Sequence, residues 1–209
     1  KGWWPPYSRV LTSAFVGLEA EASAIQAYEQ QVVPGLLQTA EYARAMMRAA
    51  RPDVDDDEVE RRVHVRMRRQ SLLGKEHPVD LWAVLDEAVL SRPVGGDAVM
   101  RAQLAALVEA ADRPNVTLQV LPFDVGAHAG MDGTFTILSF PNPANPPVVF
   151  AENATGGLFI EKSEELRKYE AIFEHIRATA LPPEESVSFI SELAREPLWK
   201  SRSRGTGST

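Results

Sequence analysis

The connector Pro141-Asn-Pro-Ala-Asn-Pro-Pro147 constrains the fold more than any other stretch of this chain. Four prolines in seven residues remove backbone donors and fix φ, so the segment can continue neither a helix nor a central strand. On its two sides lie Thr134–Phe140 (TFTILSF) and Val148–Ala151 (VVFA), whose branched and aromatic content reads as strand. Two strands joined by a short rigid link form an antiparallel hairpin. Upstream, Val116, Leu118 and Val120 alternate with Thr117 and Gln119 as in a half-buried strand, and Val79–Leu85 (VDLWAVL) reads as another. Gly157–Ile160 is a candidate edge strand.

Around these strands the apolar period becomes helical. Leu11, Phe15, Leu18, Ala22 and Ile25 recur at spacings of four, three, four and three, which predicts one helix running to Ile25 with Ser8 or Thr12 as its cap. Pro34-Gly35 breaks the pattern, and a second helix is expected over Thr39–Ala50. A third follows the acidic run Asp53–Asp57, with Val59, Val63 and Met67 inward and Gly74 at its end. Further stripes are Met100, Leu104, Leu107 and Ala111; Leu166, Tyr169, Phe173, Ile176 and Ala180; and, after Pro182-Pro183, Val187, Ile190, Leu193 and Ala194. The pattern predicts an α+β fold: an antiparallel sheet of about four strands covered by helices, with an N-terminal helical region. Residues 1–199 read as one domain. The aromatic segment Lys1–Tyr7 is expected to pin its start, and Lys200–Thr209 (KSRSRGTGST) reads as a disordered tail.

Hydrophobic residues make up 44% of the chain and charged ones 24%, enough apolar surface for a sizeable core. The net charge of −7 repels phosphate backbones and argues against nucleic-acid binding by this chain itself. The five arginines Arg61, Arg62, Arg66, Arg68 and Arg69 lie on a helix that also carries Glu58 and Glu60, so an ion-paired, dipole-matched helix outweighs DNA contact. Cysteine is absent, which removes disulfides and thiolate metal sites. No apolar run approaches the ~20 residues that span a bilayer, so no membrane association is expected.

The glycine-rich loop Asp124–Asp132 carries His128 between two strands, where binding groups often sit. A metal site would pair His128 with Asp124, Asp132 or Glu152. His64, His77 and His175 are scattered and show no ligand spacing, so the loop reads better as a lid, with His128 and Met131 over a cavity. Gly126, Gly130 and Gly133 match no nucleotide fingerprint, and no cofactor or metal is expected. Glu87, with Arg92 nearby, and Glu152 each stand near a strand end, where a carboxylate can hold a ligand or an arginine. Gly-x-Ser-x-Gly and other nucleophile motifs are missing, which gives no positive sign of catalysis.

The stretch Val32–Met47 (VVPGLLQTAEYARAMM) is the most specific wording in the chain. Ordered blocks accompany it: Gly17-Leu18-Glu19, Arg69-Gln70, Leu85-Asp86-Glu87-Ala88, Pro93-Val94-Gly95-Gly96, Gln103-Leu104, Val120-Leu121-Pro122, then Gly126, His128, Phe135 and Glu152. Together they resemble the C-terminal domain of actinobacterial helix-turn-helix regulators of the Xre type, the WhiJ-like group. Ser91 departs from the pattern, because arginine often stands before Arg92 in such proteins. The resemblance implies a cytoplasmic regulator of development or antibiotic production in Streptomyces-type bacteria. DNA binding would reside in an N-terminal domain that this chain lacks, and a homodimer is expected. The effector would be a small molecule or a small partner protein, as in antitoxin-like pairs.

Candidate ligand-binding residues are Gln38, Tyr42, Glu87, Arg92, His128, Met131, Phe135 and Glu152, with no catalytic residue among them. A sensing domain predicts an apolar cavity carrying a few polar groups. The competing reading, a small hydrolase, predicts Glu87, His128 and Glu152 within hydrogen-bond reach in one cleft.

Overall fold

The computed structural model describes residues 13–153, 156–197 and 199. The aromatic N-terminal segment, the caps Ser8 and Thr12, Leu11 and the Lys200–Thr209 tail lie outside the described residues.

The fold is α+β, but its sheet has six strands and is mixed, which corrects the expectation of about four antiparallel strands. In chain order the elements are α1 (Ser13–Glu21), β1 (Ala24–Glu29), α2 (Ala40–Ala50), α3 (Asp56–Arg69), β2 (Asp80–Asp86), α4 (Glu87–Ser91), α5 (Asp97–Ala111), β3 (Val116–Leu121), β4 (Phe135–Ser139), β5 (Val148–Asn153), β6 (Gly156–Ile160), α6 (Ser163–Thr179) and α7 (Pro183–Arg195). The sheet order is β3-β2-β1-β4-β5-β6. Strands β1, β2 and β3 run parallel, whereas β4 pairs antiparallel with β1 and β5, and β5 with β6. The Pro-rich connector makes the expected β4–β5 hairpin, with Ile137 opposite Val149.

The correction turns on β1. The helix expected to reach Ile25 stops at Glu21, and the chain becomes the strand that joins the two halves of the sheet. Ser23 marks the change: its backbone N–H and its hydroxyl both donate to the carbonyl of Ser139, at 2.8 and 3.3 Å. Ala, Gln and Glu in Ala24–Glu29 favour helix locally, and strand pairing on both sides overrides that preference.

Helices cover both faces. On one face Ile25, Leu81, Ala83, Leu85, Leu118 and Val120 pack with Met100, Leu104 and Leu107 of α5 and Ile190 and Leu193 of α7. On the other, Tyr28, Val84, Phe135, Ile137 and Val149 pack against Leu166, Phe173 and Ile176 of α6. A smaller cluster of Ala43, Met47, Val59 and Val63 joins α2 to α3. The outer edge of β3 is closed: Leu181 N–H donates to the Val120 carbonyl, and Val120 N–H donates to the Ser186 hydroxyl, both at 2.9 Å. Among the described residues no helix is long and apolar enough to cross a membrane.

A charged cavity on the antiparallel side of the sheet

Strand alternation sends Ile25, Ala27 and Glu29 of β1, Thr136 of β4, and Phe150 and Glu152 of β5 toward the same face. Helices α5 and α7 fill that face only at its parallel end. Toward β4 and β5 the small side chains of Ala27 and Thr136 leave space beneath α1, α2 and α3. A cavity of about 680 Å³ results. Its apolar lining includes Phe15, Ile25, Met46, Met47, Val59 and Phe150, and its charged lining Glu19, Glu29, Arg51, Arg62, Arg66, Arg69 and Glu152.

The Val32–Met47 segment builds one wall, contributing Val32 to Leu36, Gln38, Met46 and Met47. Much of this wall is extended or tightly turned, so its backbone needs partners from elsewhere. Four side chains supply them. The Tyr42 hydroxyl accepts from Val33 N–H at 3.1 Å, and Gln38 Nε2 donates to the Val33 carbonyl at 2.6 Å. Gln70 Nε2 donates to the Gln38 carbonyl at 2.6 Å. Gln103, fully buried on α5, accepts from Thr39 N–H at 2.7 Å and donates to the Leu37 carbonyl at 2.8 Å. Thr39 then caps α2 by accepting from Tyr42 N–H. The specific wording of this stretch is thus a set of mutual hydrogen bonds that hold a non-helical wall rigid.

The arginines of α3 divide by face. Arg61 and Arg62 pair with Glu58 on their own helix, and Arg44 and Arg48 of α2 pair with Glu60 and Asp56, an ion-paired surface of the kind the sequence suggests. Arg69 turns inward instead. Its Nε and Nη2 donate to the two carboxylate oxygens of Glu19, both at 2.7 Å, with both residues buried. Its guanidinium also lies 5.5 Å from the centre of the Phe15 ring. Arg66, one turn earlier, donates from Nη1 to Gln38 Oε1 at 2.8 Å, while its Nε is buried without a partner. Burial, with Arg69 nearby, pushes the Arg66 guanidinium down to about 10, so it stays charged at neutral pH.

Glu29 closes the floor. Burial above all, and then the nearby Glu152, push its carboxyl up to about 8, with Arg66 and a hydrogen bond with Thr134 offsetting part of the rise. At neutral pH this carboxyl therefore keeps its proton and can donate. The raised value carries a stability consequence with a definite sign. Between its ordinary value of 4.5 and about 8 the folded state holds a proton that the unfolded state has lost. The contribution of Glu29 is complete below that window and declines as pH rises through it. Glu29→Gln is expected to flatten the stability profile across the window, as read by urea midpoints at half-unit pH steps. A parent protein whose stability does not fall faster than the variant's would rule out a buried, protonated Glu29.

The sequence candidates divide between this cavity and elsewhere. Gln38 and Glu152 line it, and Tyr42 stands behind its wall. Arg92 bears electrostatically on the Tyr42 hydroxyl. Glu87 opens α4, accepts from Phe123 N–H at 2.8 Å, and lines a separate depression with Phe189 and Leu193 of α7. His128 is not on a lid over the cavity. Its Nδ1 accepts from Gly130 N–H at 3.1 Å, its ring meets Tyr28 edge-on at 5.9 Å, and Nε2 lies 3.9 Å from Asp86 Oδ2. Met131 is 65% exposed, and Phe135 is buried on the α6 face against Tyr169 and Phe173. Glu87 and Glu152 adjoin different cavities, and β2 and β5 are three strand spacings of about 4.8 Å apart. The one-cleft arrangement of Glu87, His128 and Glu152 is therefore not formed. Among the described residues no group of three or more His, Asp or Glu side chains is placed to hold a metal ion.

Glu29 and Arg66 are charged lining groups absent from the sequence candidates, whereas Glu19 and Arg69 stood within the resemblance blocks Gly17-Leu18-Glu19 and Arg69-Gln70. Glu29 lay in a segment read partly as helix, and Arg66 and Arg69 in a run read as solvated. One signal was present: Arg66 and Arg69 are spaced i, i+3, on the same side of the helix as the apolar Val59 and Val63.

Fold and site together define an α+β domain with a mixed sheet, helices on both faces and a charged cavity on its antiparallel side. The chain belongs to the family described as a domain of unknown function, DUF5753, whose model matches residues 12–192. No curated protein matches it.

Proposed function

We propose that this chain is the effector-sensing domain of a cytoplasmic helix-turn-helix transcriptional regulator of the Xre type, with a small molecule as its effector. The observation that carries this reading is that Val32–Met47, the stretch on which the family resemblance chiefly rests, builds a wall of the 680 Å³ cavity. A cavity of this size suits a small ligand, and its lining is more charged than the apolar cavity with a few polar groups expected of a sensing domain. The wall also runs directly into α2, so a ligand touching Val33, Gln38 or Met46 touches the element that leads into the ion-paired α2–α3 surface. An effector acts by binding one of two states more tightly, and contacts to such a wall are a route by which binding could bias a neighbouring DNA-binding domain.

The test is native mass spectrometry of the protein as purified, repeated after gentle denaturation. A retained small mass that disappears on unfolding is the expected result. The same spectrum reads the expected homodimer. A clean apo mass under conditions that preserve the fold would count against a resident small molecule and turn attention to a small partner protein.

A further inference from the structure

We propose that the cavity takes a small molecule with a single anionic head, a carboxylate, on an apolar body, the head seated between the guanidinium of Arg66 and the carboxyl of Glu29. This rests on the sensing reading and adds the chemical class of the effector.

Several charged groups of the cavity lining already have partners. Glu19 and Arg69 close on each other through two hydrogen bonds and leave nothing to offer. Arg62 is held by Glu58 at 2.7 Å. Arg66 is within electrostatic reach of Glu152 and donates from Nη1 to Gln38, but its Nε has no hydrogen-bond partner. Buried donors without partners are rare and costly, and on a cation they mark a place where an anion is missing. The groups facing Glu29 are Glu152 from β5, Arg66 from α3, Thr134 before β4 and the Tyr42 hydroxyl from α2, with the Glu19–Arg69 pair and Arg51 further round the lining. With its carboxyl raised to about 8, Glu29 is a donor at neutral pH and adds no charge to oppose an anion. A carboxylate head can accept from both Arg66 and Glu29 at once, which are charge-assisted hydrogen bonds. An ammonium head would meet the Arg66 guanidinium. Phe15, Ile25, Met46, Met47 and Phe150 supply the surface for the apolar body.

The experiment uses three probes of one body and different heads: octanoate, octanol and octylamine, each below its aggregation concentration, titrated calorimetrically into the whole chain. At pH 6.5 octanoate is expected to bind at least about tenfold more tightly than the other two, the scale of one charge-assisted hydrogen bond. Its affinity is expected to fall as pH rises through about 8, where Glu29 ionises beside Glu152. Arg66→Gln is expected to erase the preference for octanoate while leaving the melting transition intact. Glu29→Gln, which mimics the protonated carboxyl, keeps the preference and removes the pH dependence, so one variant of the pair remains informative if the other misfolds. Equal binding of the three probes would overturn the anionic head and leave the sensing cavity standing. Preferred binding of octylamine, rising with pH, would replace the anion by a cation. Failure of all three to bind, together with a clean apo mass in the native spectrum, would remove the sensing reading itself.

Discussion

Arg69→Ala is expected to cost about 3–5 kcal/mol of folding stability, the range measured when one partner of a buried ion pair is removed. Glu19 is 3% exposed and Arg69 8%, so the carboxylate left behind has little water to turn to. The two 2.7 Å bonds join α1 to α3 across 50 residues of sequence, and the pair lies in the cavity lining, where any rearrangement moves both helices. Urea unfolding followed by circular dichroism reads the loss directly. The double variant Glu19→Leu with Arg69→Met is the control. Replacing both charges by apolar groups of similar size removes the orphaned ion, and most of the lost stability should return. A single variant within about 1 kcal/mol of the parent would mean that the pair is far better solvated than its burial implies.

Gln103→Leu carries the second large effect, about 2–3 kcal/mol, because one amide satisfies two backbone groups. Leucine fills the same volume and offers neither the acceptor for Thr39 N–H nor the donor for the Leu37 carbonyl. Gln103→Glu separates the two, since a carboxylate still accepts from Thr39 but no longer donates to Leu37. The loss should be accompanied by local opening, so amide exchange at residues 33–39 should quicken more than in the strands. Uniform acceleration across the chain would instead show that the wall has no independent weakness. A ligand that contacts this wall should reverse part of the loss, which links the stability experiment to the binding one.

The longer helices α2, α3, α5, α6 and α7 were legible because each has a stripe of apolar residues at helical spacing, which the five-residue α4 is too short to show. Thr39 and Asp55 cap α2 and α3 as their residue types suggest. The strands β2 to β5 were legible from branched and aromatic runs, and the prolines around Asn142 left the hairpin little choice. β1 was hidden. Its residues are good helix formers, its inward pattern extends the preceding stripe by one more member at Ile25, and its strand character exists only in the presence of β2 and β4. The parallel pairing of β2 and β3 was available from the helix between them, a βαβ pattern that the expected antiparallel sheet left unused. The site was obscured for a related reason. Glu29 acquires its chemistry from burial beside Glu152, 123 positions later in the chain, and Arg66 from facing a sheet that the sequence reading had not placed. The resemblance carried Gln38 and Glu152, which line the cavity, but equally His128 and Phe135, whose ring contacts lie on the other side of the sheet.

The two-sided pairing of β1 also sets a timetable for synthesis. Its antiparallel neighbour is remote: Ser23 and Ser139, which bond where β1 meets β4, are 116 residues apart. At about 5–20 residues per second, β1 waits on the order of ten seconds after leaving the ribosome before β4 emerges, with that edge unpaired. β2 and β3 emerge sooner, although α7, which covers their face, follows β4. The floor of the cavity is therefore completed by the hairpin, and the nascent chain passes through a stage in which Glu29 and Arg66 are still in water and carry their full charges. The electrostatic character of this cavity is acquired only when the hairpin joins β1.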